Sequence, residues 1–400
     1  MNFPRFFKFI ILITFLFIQN VDGGSILSSK GVGLPFFHPN TRSMGMGGLS
    51  IAISDPFVIS RINPAGLYMS QRTQLSLQYY FENNDYRDIN GNASSNYSNF
   101  DGFTFAIPFG SGLNASFGLT PFSRMDYQLS YSNSIETESY TKSVEGNGGL
   151  NTFSFSLCWA LRSNLSLGLS GHYFFGKFTE RWDVEYDDQG FFPSKDEFTT
   201  KNWGFGLTTG FIYRPFTALT IGAIYTPEIN LDNQTSISNL YQTEDKPDQG
   251  SILLPASWGV GTTFLITRGV LLGIEYHKRN WSRMAINGTR IQGTCDVNRL
   301  SVGGEILPNR NPEASFLRRL AFRLGFTTQP YLSLDPMQNS ITEQWVTMGI
   351  GIPLYMNAAQ IDIALSYGTR GSLDSNNLSE NMFRISLSLT GGEKWFIRRY

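Results

Sequence analysis

Three histidines, two cysteines and a few paired acids are the residues of this 400-residue chain with the means to do chemistry. His38, His172 and His277 have no second His or Cys at a spacing that closes a metal site. His172 shares one face of an alternating stretch with Ser170, and a Ser/His pair is the start of a nucleophile suited to a lipid hydrolase. Serine and glycine fill that face throughout, so the pair reads as wall rather than catalyst. Asp187 and Asp188, with Glu185 nearby, offer oxygen ligands of the calcium type, but in a polar stretch they read as solvated charges. The runs GMGG (45–48) and GVGLP (31–35) lack the strand-then-helix setting of a nucleotide loop. Cys158 and Cys295 are too few for a disulfide framework and read as buried strand residues. The chain is therefore expected to be no enzyme and to need neither metal nor cofactor.

The elements that hold these residues must suit an exported chain. Arg5 and Lys8 precede an uncharged apolar run from Phe9 to Ile18, and Val21 and Gly23 are small enough for a cleavage site. This is the pattern of a signal peptide, too short to cross a bilayer as a helix. No Cys follows the site, so lipoprotein processing is not expected. Charged residues make up only 16% of the chain and aromatics 14%, with 33 Phe and 40 Gly. The charge is low for a soluble protein, while the mean hydropathy of −0.16 suits a sheet with one apolar and one wet face. A formal net charge of −1 argues against a nucleic-acid partner.

From Thr73 onward the period is two. TFSFSLCW sets Phe153, Phe155, Leu157 and Trp159 against Ser154, Ser156 and Cys158; QIDIALSY and MFRISLSL repeat the alternation near the C-terminus. Short turns at 109–112, 162–164, 214–217, 267–269 and 355–357, with a medium one at 308–317, alternate with long polar stretches. These span 83–97, 133–149, 180–200, 228–253, 280–294, 330–340 and 370–380. Such alternation is the habit of a transmembrane barrel, with tight periplasmic turns and long outer loops. The expected fold is all-β: a transmembrane antiparallel β-barrel of about fourteen strands. That count requires Gly112 to Ser132 to be one long strand, bent at Thr120, Pro121, Phe122 and Ser123, because proline cannot donate to a ladder. The bend reads either as a lateral opening or as an ordinary bulge.

The segment RSMGMGG (42–48), with AISDP (52–56) and INPAGL (62–67), precedes the barrel and has neither period. Followed by such a barrel, it resembles the FadL superfamily of outer-membrane proteins, typified by long-chain fatty-acid transporters. The resemblance covers nearly all of the mature chain, and Asn63-Pro64-Ala65 is its most specific part. It implies a hatch inside the barrel lumen built on Gly45, Gly47, Gly48, Asn63, Pro64 and Ala65, and a third strand whose bend opens the wall. It departs from the family where Asp55-Pro56 and Arg61 stand. RSMGMGG is equally at home in the secretion component PorV, so cargo is open. The implied organisation is a signal peptide (1–23), a hatch (24–72), a barrel (73–390) and a periplasmic tail (391–400), in the outer membrane of a Gram-negative-type bacterium. The expected function is passive uptake of hydrophobic small molecules such as long-chain fatty acids, the alternative a PorV-like scaffold binding protein cargo. Phe191, Phe192 and Phe198, with Leu231, Ile237 and Leu240, are candidates for ligand capture or for loop self-packing. Arg61 would pair with a ligand carboxylate or with a lumen acid. Outer-membrane lipids and the barrel-assembly machinery are the other expected partners of a monomer.

Overall fold

The computed structural model describes residues 26–394 apart from 38, 90, 136–137, 188–191, 240–246, 268, 312, 336 and 355–357. The expected signal peptide and most of the C-terminal tail lie outside the described residues. Fourteen strands follow one another: β1 (Thr73–Asp88), β2 (Asn92–Gly110), β3 (Leu113–Ile135), β4 (Glu138–Arg162), β5 (Leu165–Tyr186) and β6 (Ser194–Phe216). β7 (Leu219–Thr226 and Ile229–Asn239) and β8 (Asp248–Leu254 and Ser257–Thr267) are each interrupted at a proline. Then come β9 (Val270–Arg279), β10 (Val297–Ile306), β11 (Ala321–Leu334), β12 (Ser340–Leu354), β13 (Ala359–Ser372) and β14 (Leu378–Glu393). Each pairs antiparallel with the next, and β14 returns to β1 in register from Leu378↔Asp88 to Glu393↔Thr73. The sheet is a closed barrel.

Closure follows from the alternation. Phe153, Phe155, Leu157 and Trp159 are exposed on the outer face, while Ser156 and Cys158 between them are buried toward the lumen. A belt of exposed aliphatic and aromatic side chains needs hydrocarbon around it, and a closed ladder leaves no edge unpaired there. Among the described residues no helix is long and apolar enough to cross a membrane; the strands do so. The barrel spans a membrane.

The long polar stretches prove to be mostly strand. β1 continues to Asp88 and β2 begins at Asn92, so all but a few residues of 83–97 are in the ladder. The same holds for 133–149, where β3 runs to Ile135 and β4 starts at Glu138. Beyond the hydrocarbon slab both faces of a strand meet water, so the apolar alternation fades although the hydrogen bonding continues. Polar cross-strand pairs replace it, such as Asn83–Asn96 at 2.7 Å and Thr200–Thr235 at 3.0 Å. Among the described residues, the stretch between β9 and β10 departs furthest from strand. It carries a one-turn helix (Trp281–Arg283) and folds inward, burying Trp281 and Met284 in the core. The last strand reaches Glu393, three residues past the expected barrel boundary at 390, because Gly391 and Gly392 still pair with Leu75 and Gln74.

Candidate functional site

The N-terminal segment meets the polar face of eight successive strands, and a glycine on each strand makes room for it. A Cβ on Gly349 of β12 would stand 3.1 Å from the Gly45 Cα, and one on Gly325 of β11 2.8 Å from the Gly47 Cα. Gly303 (β10) faces Met46, Gly273 (β9) Leu49, Gly261 (β8) Ile51 and Ala52, and Gly222 (β7) Ala52. Gly210 (β6) and Gly168 (β5) both face Pro64. The segment thus passes from β12 to β5 as its numbering rises. Its own Gly47 and Gly48 have φ of 69° and 81°, the left-handed region that other residues avoid.

Irregular backbone buried in a barrel must find its hydrogen bonds on the wall. Glu275 of β9 accepts from the Ser50 and Ile51 N–H groups, both at 2.7 Å, and from Arg299 Nη2 at 2.9 Å. The Gly47 N–H donates to Thr347 Oγ1 at 2.8 Å, and Thr327 donates to the Gly47 carbonyl. Asn63 donates to the Ile51 carbonyl (2.6 Å) and the Phe211 carbonyl (3.2 Å), while its Oδ1 accepts from the Ala65 N–H (3.0 Å). Pro64 opens the short helix Pro64–Met69, where its missing N–H costs nothing. The Ala65 carbonyl then accepts from Ser166 and Cys158. The Asn-Pro-Ala triplet is therefore a cap that turns the chain while satisfying its backbone.

A buried ion network adds charge to this seat. Arg42 pairs with Glu305 of β10 at 2.5 Å and Asp55 at 3.0 Å; Arg323 of β11 bridges Glu305 (2.8 Å) and Asp362 of β13 (2.6 Å). Three carboxylates thus answer two guanidiniums, and Gln360 donates to Asp362. Sequence reasoning missed this set. Its signal was present as charged residues at inward positions of apolar strands, Glu305 in SVGGEI and Arg323 in AFRLGF.

Above the segment lies a cavity in two lobes of about 170 and 160 Å³ that share Phe36, Phe37, His277, Arg279 and Trp281. Aromatic and aliphatic groups dominate the second lobe, among them Phe122, Phe174, Ile229 and Leu254. Arg279 lies over the Phe122 and Trp281 rings, and among the described residues no carboxylate pairs with it. Arg124 lines the first lobe and is buried over Tyr97 at 3.5 Å; its Nε and Nη1 have no hydrogen-bond partner among the described residues. The other lumen arginines are answered: Arg299 by Glu275, Arg370 by Glu343 and Glu380, Arg384 by Glu82.

The remaining candidates fall as follows. Arg61 pairs with Asp101 of β2 at 3.3 Å and Gln78 at 2.9 Å, so its partner here is a lumen acid. Ser170 bonds to Ser156, not His172; His172 instead joins Ser154 (2.8 Å) and Thr208 (3.0 Å), with no carboxylate in the chain of bonds. Cross-strand neighbours lie closer than residues two apart on one strand, which is why Ser170 and His172 do not bond to each other. Thr120, Pro121 and Phe122 line the second lobe, and the β3–β4 register shifts between Pro121 and Ser123. Ser123 is buried on the freed edge of β3. Phe192 is highly exposed, Phe198 and Ile237 are half-buried strand residues and Leu231 is core. His38, Asp188, Phe191 and Leu240 lie outside the described residues. No group of three metal-ligating side chains occurs among the described residues.

The BamG family model matches residues 5–400. No curated protein matches the sequence. Among solved structures, the chain is similar to the toluene transporter TbuX of Ralstonia pickettii, at 16% identity over 92% of this chain and 99% of that one, TM-score 0.56. It is also similar to a Pseudomonas aeruginosa FadL homologue (14% identity, 88% and 98% coverage, TM-score 0.58). The Pseudomonas putida toluene transporter TodX is alike to the same degree (14%, 88% and 97%, TM-score 0.57). At these identities the likeness establishes a FadL-type barrel fold.

Proposed function

The chain belongs to the BamG family, and from that premise and its FadL-type barrel we propose a passive outer-membrane channel for hydrophobic small molecules, with long-chain carboxylates as the ligand class. The short-turn end is periplasmic and the segment 24–72 is the hatch. The observation that carries this reading is the two-lobed cavity: apolar groups of the second lobe meet Arg279, Arg124 lines the first, and among the described residues neither guanidinium makes an ion pair with a carboxylate. An apolar pocket with a few convergent polar groups is the usual form of a small-molecule site. A buried guanidinium left unpaired is costly, and a ligand carboxylate would answer it bidentately. The similarity to transporters of toluene supports a hydrophobic small-molecule cargo.

A second reading, a scaffold barrel that binds protein, draws support from the glycine seat: a segment wedged this closely resists displacement. Uptake of labelled oleate by cells with and without the gene separates the two. Faster uptake with the gene, reduced by Arg124→Gln with Arg279→Gln, supports the channel. Equal uptake with a co-purifying protein partner would favour the scaffold.

A further inference from the structure

The outer face of β5 and β6 carries two lysines side by side. Lys177 stands directly opposite Lys201 in the ladder. Both are exposed and alternate with the buried Phe178 and Asn202, so both point away from the lumen. Residues so opposed hold their Cβ atoms about 5 Å apart, and like charges there repel. The rung continues to Gly149 on β4 and Gln234 on β7, neither of them an acid. The acids one or two rungs farther out are engaged elsewhere: Glu145 and Glu197 with Arg181 at 3.8 and 3.1 Å, and Asp183 with Lys195 at 4.0 Å. Asp232 of β7 faces Trp203, one rung below. Among the described residues it makes no ion pair, and neither does Lys177 or Lys201.

The height of this pair on the wall is fixed by its neighbours. One rung toward the hydrocarbon Phe175 faces Trp203, and the next sets Tyr173 against Phe205, ring centroids 5.0 Å apart. Trp203 and Phe205 are exposed on the outside of the barrel. Aromatic residues gather where acyl chains give way to headgroups, so these rings mark the edge of the apolar band. Successive outward residues rise roughly 7 Å along a strand, which sets the two ammonium groups at headgroup level. Their methylene stems can lie over the rings while the charges stay wet. One rung farther out Thr179 faces Thr199, flanked by Asn147 and Ser236. All four are neutral and able to hydrogen-bond to phosphate oxygens or sugar hydroxyls. An anionic headgroup seated between the lysines would cancel their repulsion and leave its acyl chains against the aromatic belt.

We propose that Lys177 and Lys201 bind the phosphate of a membrane lipid on the outside of the barrel, with its acyl chains against Trp203 and Phe205. With the short turns periplasmic, that lipid belongs to the outer leaflet; the proposal rests on this orientation and not on the cargo. The test titrates the purified protein in dodecyl maltoside with diphosphoryl lipid A, with its dephosphorylated form and with inorganic phosphate, and native mass spectrometry reads the bound fraction. A lysine at an anionic lipid surface strengthens binding about fivefold, so Lys177→Gln with Lys201→Gln should weaken lipid A binding roughly tenfold or more. Lys142, which lies over Trp182 on the other face of the sheet, supplies the control: Lys142→Gln should bind as wild type. Both variants should keep barrel mobility on unheated gels. Wild-type affinity in the double variant, or equal binding of the dephosphorylated lipid, would overturn the proposal. Inorganic phosphate that displaces the lipid at equal concentration would also overturn it, leaving a site for free anions. Labelling of Ser194→Cys on intact cells with an impermeant maleimide judges the orientation separately. Ser194 is exposed at the start of β6, and labelling above the wild-type background supports the outer leaflet. Its absence would refute the outer leaflet, with the phosphate contact still decided in micelles.

Discussion

A methyl group on Gly325 should unseat the N-terminal segment while leaving the barrel closed. The new Cβ would stand 2.8 Å from the Gly47 Cα and closer still to the Gly47 nitrogen and the Met46 carbonyl carbon. These are backbone atoms, held on one side by β11 pairing with β10 and β12 and on the other by the turn at Gly47. The nearest of them is 2.1 Å away, so relief needs a shift of roughly 1.4 Å to restore ordinary contact distance. Overpacking of this kind costs about 1–3 kcal/mol. The same shift strains the bonds of Gly47 with Thr347 and Thr327, each worth about 1 kcal/mol. The expected total is roughly 3–5 kcal/mol, taken from the segment rather than the ladder. Limited trypsin digestion of the purified protein in detergent reads it at Arg42, which is buried in the wild type. Gly325→Ala should be cut there within a time that leaves the wild type intact, while both keep barrel mobility on unheated gels. Gly171 of β5, whose Cβ would meet nothing, supplies the control: Gly171→Ala should behave as wild type. If Gly325→Ala resists trypsin as well as Gly171→Ala does, the wall glycines are not what admits the segment, and the reasoning fails.

Glu305→Gln removes the charge that Arg42 and Arg323 share and should cost about 3–5 kcal/mol, the usual penalty for breaking a buried pair. Denaturant unfolding measures it, and Arg42→Met with Glu305→Gln should recover part. Asn63→Ala removes the cap on the Ala65 N–H, worth about 1 kcal/mol; Cys158, buried beneath Ala65, should then react with a thiol reagent that the wild type resists. Asp335, between β11 and β12, is held below its usual carboxylate pKa by the Asn376 side chain and the Asn339 and Met337 N–H groups. A depressed folded pKa means that this support is complete above about pH 4 and is lost as pH falls through the folded value. Protection factors of the Met337 and Asn339 amides, which correct for the fall of intrinsic exchange in acid, should therefore drop only at low pH, and Asp335→Asn should lower them already at neutral pH.

Strand alternation was legible because lipid and lumen impose opposite chemistry on successive residues, and that rule held wherever the wall crosses hydrocarbon. It lapsed at Asn83–Tyr97 and at Asn133–Gly149, where water bathes both faces and polarity no longer distinguishes a strand from a loop. Pro227 and Pro255 each break a strand, but the ladder resumes two residues later. The Asn63-Pro64-Ala65 segment stood out by composition, yet what receives it could not be read locally. Gly349, Gly325, Gly303 and Gly273 are separated by whole strands in sequence and become one surface only when the register is known. Arg42 likewise meets Glu305 across 263 residues. Each wall glycine alone looks like a weakness in a strand; set side by side by the ladder, they are the contour of the segment they hold. That neither Arg124 nor Arg279 makes an ion pair among the described residues is more remote still from sequence, because it depends on which guanidinium each lumen carboxylate reaches. A residue's partner in this barrel is fixed by strand register, so the chemistry of the cavity becomes visible only after the wall has closed around it.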